Sequence, residues 1–131
     1  MLRSLTSLKS MSSADHALQT LIWREGHDPA LAISADLRKR VTADWESFRE
    51  QAEAMGFDAV EHRATMIDPS EGDEWAYAAH DFILTRNHHG SGFWDGDWHA
   101  PWGDKLTALA HSFGQIDTYV NCDRIPFVMD L

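Results

Sequence analysis

Residues 34–56 read SADLRKRVTADWESFREQAEAMG, and their apolar positions recur with the spacing of an α-helix. Apolar side chains follow at steps of three or four along the whole stretch, at Leu37, Val41, Trp45, Phe48, Ala52 and Met55. This period predicts one continuous buried face. Ser34 is a favourable N-cap, and Gly56 stands where helices commonly end. The stretch therefore predicts a long amphipathic helix between these two residues.

Three shorter segments outside this stretch show the same helical spacing. The first runs from Ser13 to Glu25, with Ser13 as its predicted cap. The third begins near Ser70 in a sequence resembling a capping box. It is expected to fray out near Asn87–Gly90, where Gly90 offers a left-handed stop. The fourth lies in the region 106–113 and is closed by Gly114. Residues 57–69 fit either a short strand or an irregular link.

The last part of the chain alternates apolar and polar residues, as a strand does. Residues 116–120 form one predicted strand, 121–124 a turn, and 125–129 a partner strand that Pro126 would place at a sheet edge. We therefore predict a single α+β domain over 13–131, mainly helical, with about four helices and a C-terminal β-hairpin. Residues 1–12 are predicted to form a flexible tail, with a targeting segment or an upstream start codon as the alternatives.

The composition limits the function classes. The chain has 131 residues, 21 acidic and 11 basic, with a formal net charge of −10. Such a charge disfavours direct binding to nucleic acid or to an anionic membrane and leaves a protein partner as the expected ligand. A mimic of nucleic-acid charge is an alternative that follows from the same acidity. The one cysteine, Cys122, excludes an internal disulfide and a multi-cysteine zinc site.

Five of the eight histidines lie between positions 80 and 111, and three interpretations compete for this region. In an enzymatic interpretation a histidine and a carboxylate act as base and orienter, with His80, Asp81 and His89 as the candidate catalytic residues. A metal interpretation uses His88, His89 and His99 as ligands, although their spacing is poor and no metal or other cofactor is favoured. The sequence offers no strong nucleophile next to them, so we expect a protein without catalytic activity.

In the structural interpretation, which we favour, the same polar residues hold the fold together. Asp81 and Arg86 would tie down the glycine- and tryptophan-rich loop 90–104, and Asn87 and His89 would cap the end of the third helix. The loop tryptophans form either an exposed recognition surface or a small satellite core. The candidate binding residues are Arg86, Asn87, Phe93, Trp94, Asp95, Trp98 and Trp102.

The stretch His80-Asp-Phe-Ile-Leu-Thr-Arg-Asn-His-His-Gly-Ser-Gly-Phe-Trp-Asp95 resembles a family of small, uncharacterised proteins encoded by phages and by bacterial genomes that carry prophages. In that family a Gly-Asp-x-Leu-Thr helix and an Asp-x-Tyr-Val strand follow, and residues 103–107 and 117–120 match them in order. The resemblance covers about residues 70–123. This chain departs from the pattern at His88 and by extra loop residues over 97–102.

The resemblance implies a phage or prophage context and a location in the cytoplasm of a bacterial host, but it implies no activity. Together with the residue patterns it predicts a small acidic accessory protein that acts by binding a protein partner. A metal-dependent or His/Asp-based enzyme is the first alternative. An acidic mimic that inhibits a DNA-processing or host-defence protein is the second.

Overall fold

The first helix, α1, spans Ser13–Arg24 in the computed structural model, which describes residues 12–66, 73–122 and 127–130. Its N-cap is Ser12 and not Ser13, because the Ser12 hydroxyl accepts a hydrogen bond from the backbone N–H of Asp15. Ser13 is buried, and its hydroxyl accepts a 2.8 Å hydrogen bond from Trp45 Nε1. The predicted tail lies outside the described residues except for Ser12.

The second helix, α2, spans Ala35–Ala54 and confirms the prediction from its apolar spacing. The Ser34 hydroxyl accepts a hydrogen bond from the Leu37 N–H, as an N-cap does. The predicted apolar face is buried from Leu37 to Ala52. Met55 is the exception, since it lies just beyond the last turn and is exposed.

The third helix, α3, spans Ala76–Arg86, so it begins later than predicted. Ser70 lies outside the described residues, and the Asp73 carboxylate accepts a hydrogen bond from the Trp75 N–H immediately before the helix. The C-cap of α3 is Asn87, the first residue of the predicted end region, but Gly90 is not the left-handed stop. His88 takes the left-handed conformation, with φ of 56°, and the N–H groups of His88 and His89 donate to the carbonyls of the last turn.

The fourth helix, α4, spans Trp102–His111 and therefore begins inside the segment predicted as a loop. Before it, Phe93–Asp95 form one turn of 3₁₀-helix. Residues 57–66 are an irregular link, which contacts the loop and forms an isolated antiparallel bridge with it between Arg63 and Trp98. The structure thus confirms four helices in a mainly helical α+β domain.

The sheet has three strands, β1 (Ala32–Ile33), β2 (Thr118–Asn121) and β3 (Phe127–Asp130). β2 and β3 pair antiparallel and confirm the predicted hairpin. β1 adds a parallel neighbour that sequence patterns did not indicate. The strand order is β1-β3-β2, so the expectation that the last strand lies at an edge is wrong. Its ladder begins at Phe127, after the proline, so no central pairing needs a proline N–H.

The helices and the loop share one core rich in aromatic rings. Trp45 and Phe48 of α2 pack on Phe82 of α3, and Phe48 stacks on Phe93 from the loop at a centroid distance of 5.5 Å. The loop is therefore packed onto the helices over its apolar side. Among the helices that the structure describes, none is long and apolar enough to cross a lipid bilayer.

Candidate functional site

A buried carboxylate and a half-buried imidazole stand side by side on α3. Asp81 is 2% exposed, and its Oδ1 lies 3.3 Å from His80 Nδ1. Its Oδ2 accepts a 2.8 Å hydrogen bond from Trp98 Nε1 in the loop. Burial raises the pKa of the Asp81 carboxyl above its ordinary value of 3.8, and the hydrogen bonds from His80 and Trp98 oppose that rise. Asp81 therefore contacts His80, as the enzymatic interpretation requires, and also the loop, as the structural interpretation requires.

Tyr77 extends this arrangement by one helical turn. Its ring stacks on His80 at a centroid distance of 5.7 Å, and its hydroxyl donates a 2.7 Å hydrogen bond to Asp97 Oδ2. The Arg63 guanidinium lies 4.3 Å from the centroid of the Tyr77 ring. Burial, and next the bond to Asp97, raise the pKa of the Tyr77 hydroxyl. We call Tyr77, His80, Asp81, Asp97 and Trp98 the His80 cluster.

Sequence reasoning missed Tyr77 and Arg63. The available signal for Tyr77 was its position three residues before His80, a spacing that brings side chains together on one helix face. Arg63 gave no signal, because the irregular link that carries it has no periodic pattern.

Arg86 lies at the end of α3 with its side chain fully buried. Its Nε donates to the Gly114 carbonyl at 2.7 Å and its Nη2 to the Phe113 carbonyl at 3.0 Å. Its Nη1 lies 3.0 Å from Asp44 Oδ2 of α2. Burial lowers the pKa of the guanidinium, and Asp44 opposes that change. Arg86 therefore joins three helices and presents nothing to solvent.

The neighbours of Arg86 also bond within the fold. Asn87 and Ile116 exchange two hydrogen bonds, of 3.0 Å from the amide of Asn87 and 2.9 Å to its carbonyl oxygen. The Thr85 hydroxyl accepts from the Phe93 N–H. Gly92 lies against this hydroxyl so closely that an added Cβ would collide with it. The Asp95 carboxylate accepts a hydrogen bond from the Gly92 N–H and closes the 3₁₀ turn.

The remaining histidines do not join the His80 cluster. His89 lies nine residues after His80, and its Nε2 is 3.5 Å from Glu25 Oε2 of α1. His88 stacks on His111, whereas His99 is exposed in the loop. Within residues 12–66, 73–122 and 127–130, no three His, Cys, Asp or Glu side chains group closely enough to hold a metal ion. The structure brings His80 and Asp81 together but not His89, and within the described residues it does not group the candidate metal ligands His88, His89 and His99.

The loop aromatics divide between the two predicted roles. Phe93, Trp98 and Trp102 are buried and belong to the core, as the satellite-core interpretation expects. Trp94 is 44% exposed, and Asp95 beside it is also exposed. Arg86 and Asn87 are buried as well, like Phe93. The seven candidate binding residues therefore do not form one exposed surface.

An apolar groove lies along α1, away from the residues that the sequence singled out. It has a volume of about 420 Å³, and Leu18, Ile22, Trp23 and Ile33 line it. Trp23 is 63% exposed, the most exposed tryptophan among the described residues. Asp15 and Arg38, also in its lining, are both about half exposed and form a 3.4 Å ion pair. We call this feature the α1 groove.

Comparison with protein-family models, curated proteins and solved structures finds no match to this chain. Two arrangements among the described residues have the chemistry of a binding or catalytic site. The His80 cluster can hold a partly exposed imidazole in a fixed orientation beside a buried carboxylate. The α1 groove can accept an apolar side chain beside an exposed tryptophan.

We expect Asp81→Ala to lower the free energy of unfolding at pH 7 by about 1–3 kcal/mol, because the buried Trp98 N–H loses its acceptor. Asp81→Asn keeps an acceptor oxygen for Trp98 and should cost less. Urea denaturation measures both, with Asp117→Ala as an exposed control. An Asp81→Ala loss equal to that of the control would contradict the internal role of this carboxylate.

The pH dependence follows from the raised pKa of Asp81. Because the pKa of Asp81 is raised in the folded chain, the protonated carboxyl favours the folded state over the unfolded one. This contribution to the free energy of unfolding is fully present below the ordinary pKa of 3.8. That stabilisation is lost as the pH rises through the raised value. The free energy of unfolding of wild type should therefore fall relative to that of Asp81→Asn as the pH rises above 3.8.

Proposed function

We propose that the chain is a phage- or prophage-related accessory protein of the bacterial cytoplasm that acts by binding a protein partner, without catalysis. The resemblance of residues 80–95 supports the phage context. The internal use of Thr85, Arg86 and Asn87 supports a non-catalytic role, because the polar residues of that stretch hold the helices and the loop together.

The exposure of Trp23 beside the α1 groove carries this proposal. Tryptophan is enriched among the residues that dominate binding energy at protein interfaces. Interfaces commonly combine an apolar centre with a charged, solvated rim. The groove has this arrangement, with Leu18, Ile22 and Trp23 as apolar lining and the Asp15–Arg38 ion pair as a charged border. The partner it fits is a protein segment that inserts an apolar side chain next to Trp23.

The contact between His80 and Asp81 supports a second candidate function, base catalysis by His80. A carboxylate that accepts from Nδ1–H fixes the tautomer and leaves Nε2 free to take a proton. The His80 side chain is 34% exposed, so part of its imidazole ring is in contact with solvent. Trp98 holds the other oxygen of Asp81 and so keeps the carboxylate in place.

The partner proposal is tested by capture with two matched tryptophan variants. Immobilised wild type, Trp23→Ala and Trp94→Ala are incubated with lysate of a bacterial host, and each retained protein is then purified for a direct affinity measurement. We expect one protein whose affinity falls at least tenfold with Trp23→Ala and changes less than threefold with Trp94→Ala, because only Trp23 borders the groove.

Salt and turnover separate this result from the alternatives. Raising NaCl from about 0.15 to 1 M shortens the screening length from about 8 to 3 Å, so a mimic of nucleic-acid charge would release its partner. An apolar anchor should keep it. Equal affinity in wild type and Trp23→Ala would refute the groove as the binding surface. A substrate turnover that His80→Gln abolishes would establish the enzymatic candidate instead.

A further inference from the structure

Two exposed imidazoles meet where α3 and α4 end. His88 follows the last residues of α3, and His111 is the last residue of α4. Their ring centroids are 4.8 Å apart, with an angle of 26° between the ring planes. Apart from this contact, neither ring has a hydrogen bond or ion pair with another described residue. Their ring nitrogens are therefore available to an outside ligand.

The backbone of His88 is unusual for a residue with a side chain. Its φ of 56° lies in the left-handed region that glycine adopts most easily, and His88 alone among the described non-glycine residues has a positive φ. A residue held in this region costs some stability and often marks a functional position. Here the left-handed turn places the imidazole against His111.

The surroundings favour a cation. The carbonyl ends of two helices carry partial negative charge, and both histidines lie at such ends. Arg86 fixes these ends relative to each other through its bonds to the Phe113 and Gly114 carbonyls, and Asp44 balances its charge. The two imidazoles thus project from a braced junction and not from mobile ends.

We propose that His88 and His111 form a surface site for a late first-row transition-metal dication, with water in the remaining coordination positions. Imidazole nitrogen suits Cu²⁺, Ni²⁺ and Zn²⁺, and Cu²⁺ is the tightest of that series. Metal–nitrogen bonds of about 2.0–2.1 Å put two neighbouring imidazole ligands about 4.5–5 Å apart at their centroids. The observed centroid separation of 4.8 Å lies in this range. The rings are stacked, so binding requires both exposed side chains to rotate until one nitrogen of each faces the ion.

This pair differs from the candidate ligand set His88, His89 and His99, for which the sequence favoured no metal. His89 faces Glu25, and His99 lies in the loop, so neither accompanies His88. His111 is the partner that sequence spacing did not indicate, because it lies 23 positions after His88 in the chain. The site is independent of the α1 groove and of the proposed protein partner.

Titration with CuCl₂ tests the site on the whole chain. We expect one tight equivalent of Cu²⁺ by calorimetry, an electron paramagnetic resonance spectrum with coupling to two nitrogens, and a higher melting temperature in the presence of the ion. His88→Asn keeps a residue that tolerates the left-handed turn and removes the imidazole. His88→Asn and His111→Ala should each weaken the tight equivalent at least tenfold, whereas the exposed control His99→Ala should leave it unchanged.

Two results of this titration would overturn the metal site. A tight equivalent that persists in the His88→Asn/His111→Ala double variant would place the metal on other histidines and overturn the proposal. So would a wild-type titration that shows only the weak binding of that double variant. Circular dichroism of each variant verifies the fold, and both replaced side chains are exposed, so their loss leaves the core intact.

Discussion

Replacing Arg86 by methionine is expected to lower the free energy of unfolding by about 3–5 kcal/mol, the range for breaking a buried ion pair on one side. Methionine can fill much of the space but donates no hydrogen bond. The carbonyls of Phe113 and Gly114 then lose their donors, and Asp44 loses the cation 3.0 Å away. Small domains have a free energy of unfolding of only about 5–15 kcal/mol, so this variant is expected to be only marginally folded.

Arg38→Met is the matched control for this measurement. Its ion pair with Asp15 is 3.4 Å long and about half exposed on both sides, so its loss should cost at most about 1 kcal/mol. Urea denaturation of the three proteins at pH 7 gives the comparison. Equal losses from Arg86→Met and Arg38→Met would show that the buried guanidinium is not what joins α2, α3 and α4.

Phe93→Ala is expected to cost about 3–5 kcal/mol, the usual effect of removing a buried aromatic ring. Phe93 is fully buried, stacks on Phe48 of α2 and contacts Trp98. Its loss opens a cavity between the loop and the helices. The loop should then detach first, and backbone amides around the 3₁₀ turn should exchange hydrogen faster than those of α2.

Trp94→Ala provides the neighbouring control, because this tryptophan is 44% exposed. We expect a loss of about 1 kcal/mol or less and no change in amide exchange within the loop. A Phe93→Ala variant as stable as Trp94→Ala would contradict the role of Phe93 as the anchor of the loop.

The helices followed from the sequence wherever one physical rule acted alone. The apolar spacing from Leu37 to Ala52 predicts a helix because one buried face is enough to explain it. Ser34 caps this helix with its own hydroxyl, a contact that depends only on neighbouring residues. The hairpin followed from alternation in the same way. β1 could not be predicted, because two residues carry no period and their pairing with β3 spans most of the chain.

The candidate site was predictable only as far as its contacts are local. His80 and Asp81 are adjacent, so their pairing could be expected from sequence. Trp98 reaches Asp81 across 17 residues, and its hydrogen bond depends on how the loop packs. The conformational freedom of glycine predicts the left-handed stop of α3 at Gly90. His88 takes this conformation instead, because its own N–H and that of His89 donate to carbonyls of the last turn.

Because β3 lies between β1 and β2, the sheet can form only after the last strand has been synthesised. The ribosome makes β1 and β2 before β3, although both pair with β3. Until β3 leaves the ribosome, the backbone N–H and C=O groups of β1 and β2 that pair with it have no partner strand. Such groups can pair with other nascent chains. The pairing of Ala32 with Phe127 is then a late, long-range closure, of the kind that slows folding. A truncation just before Phe127 would leave both strands in that exposed state permanently.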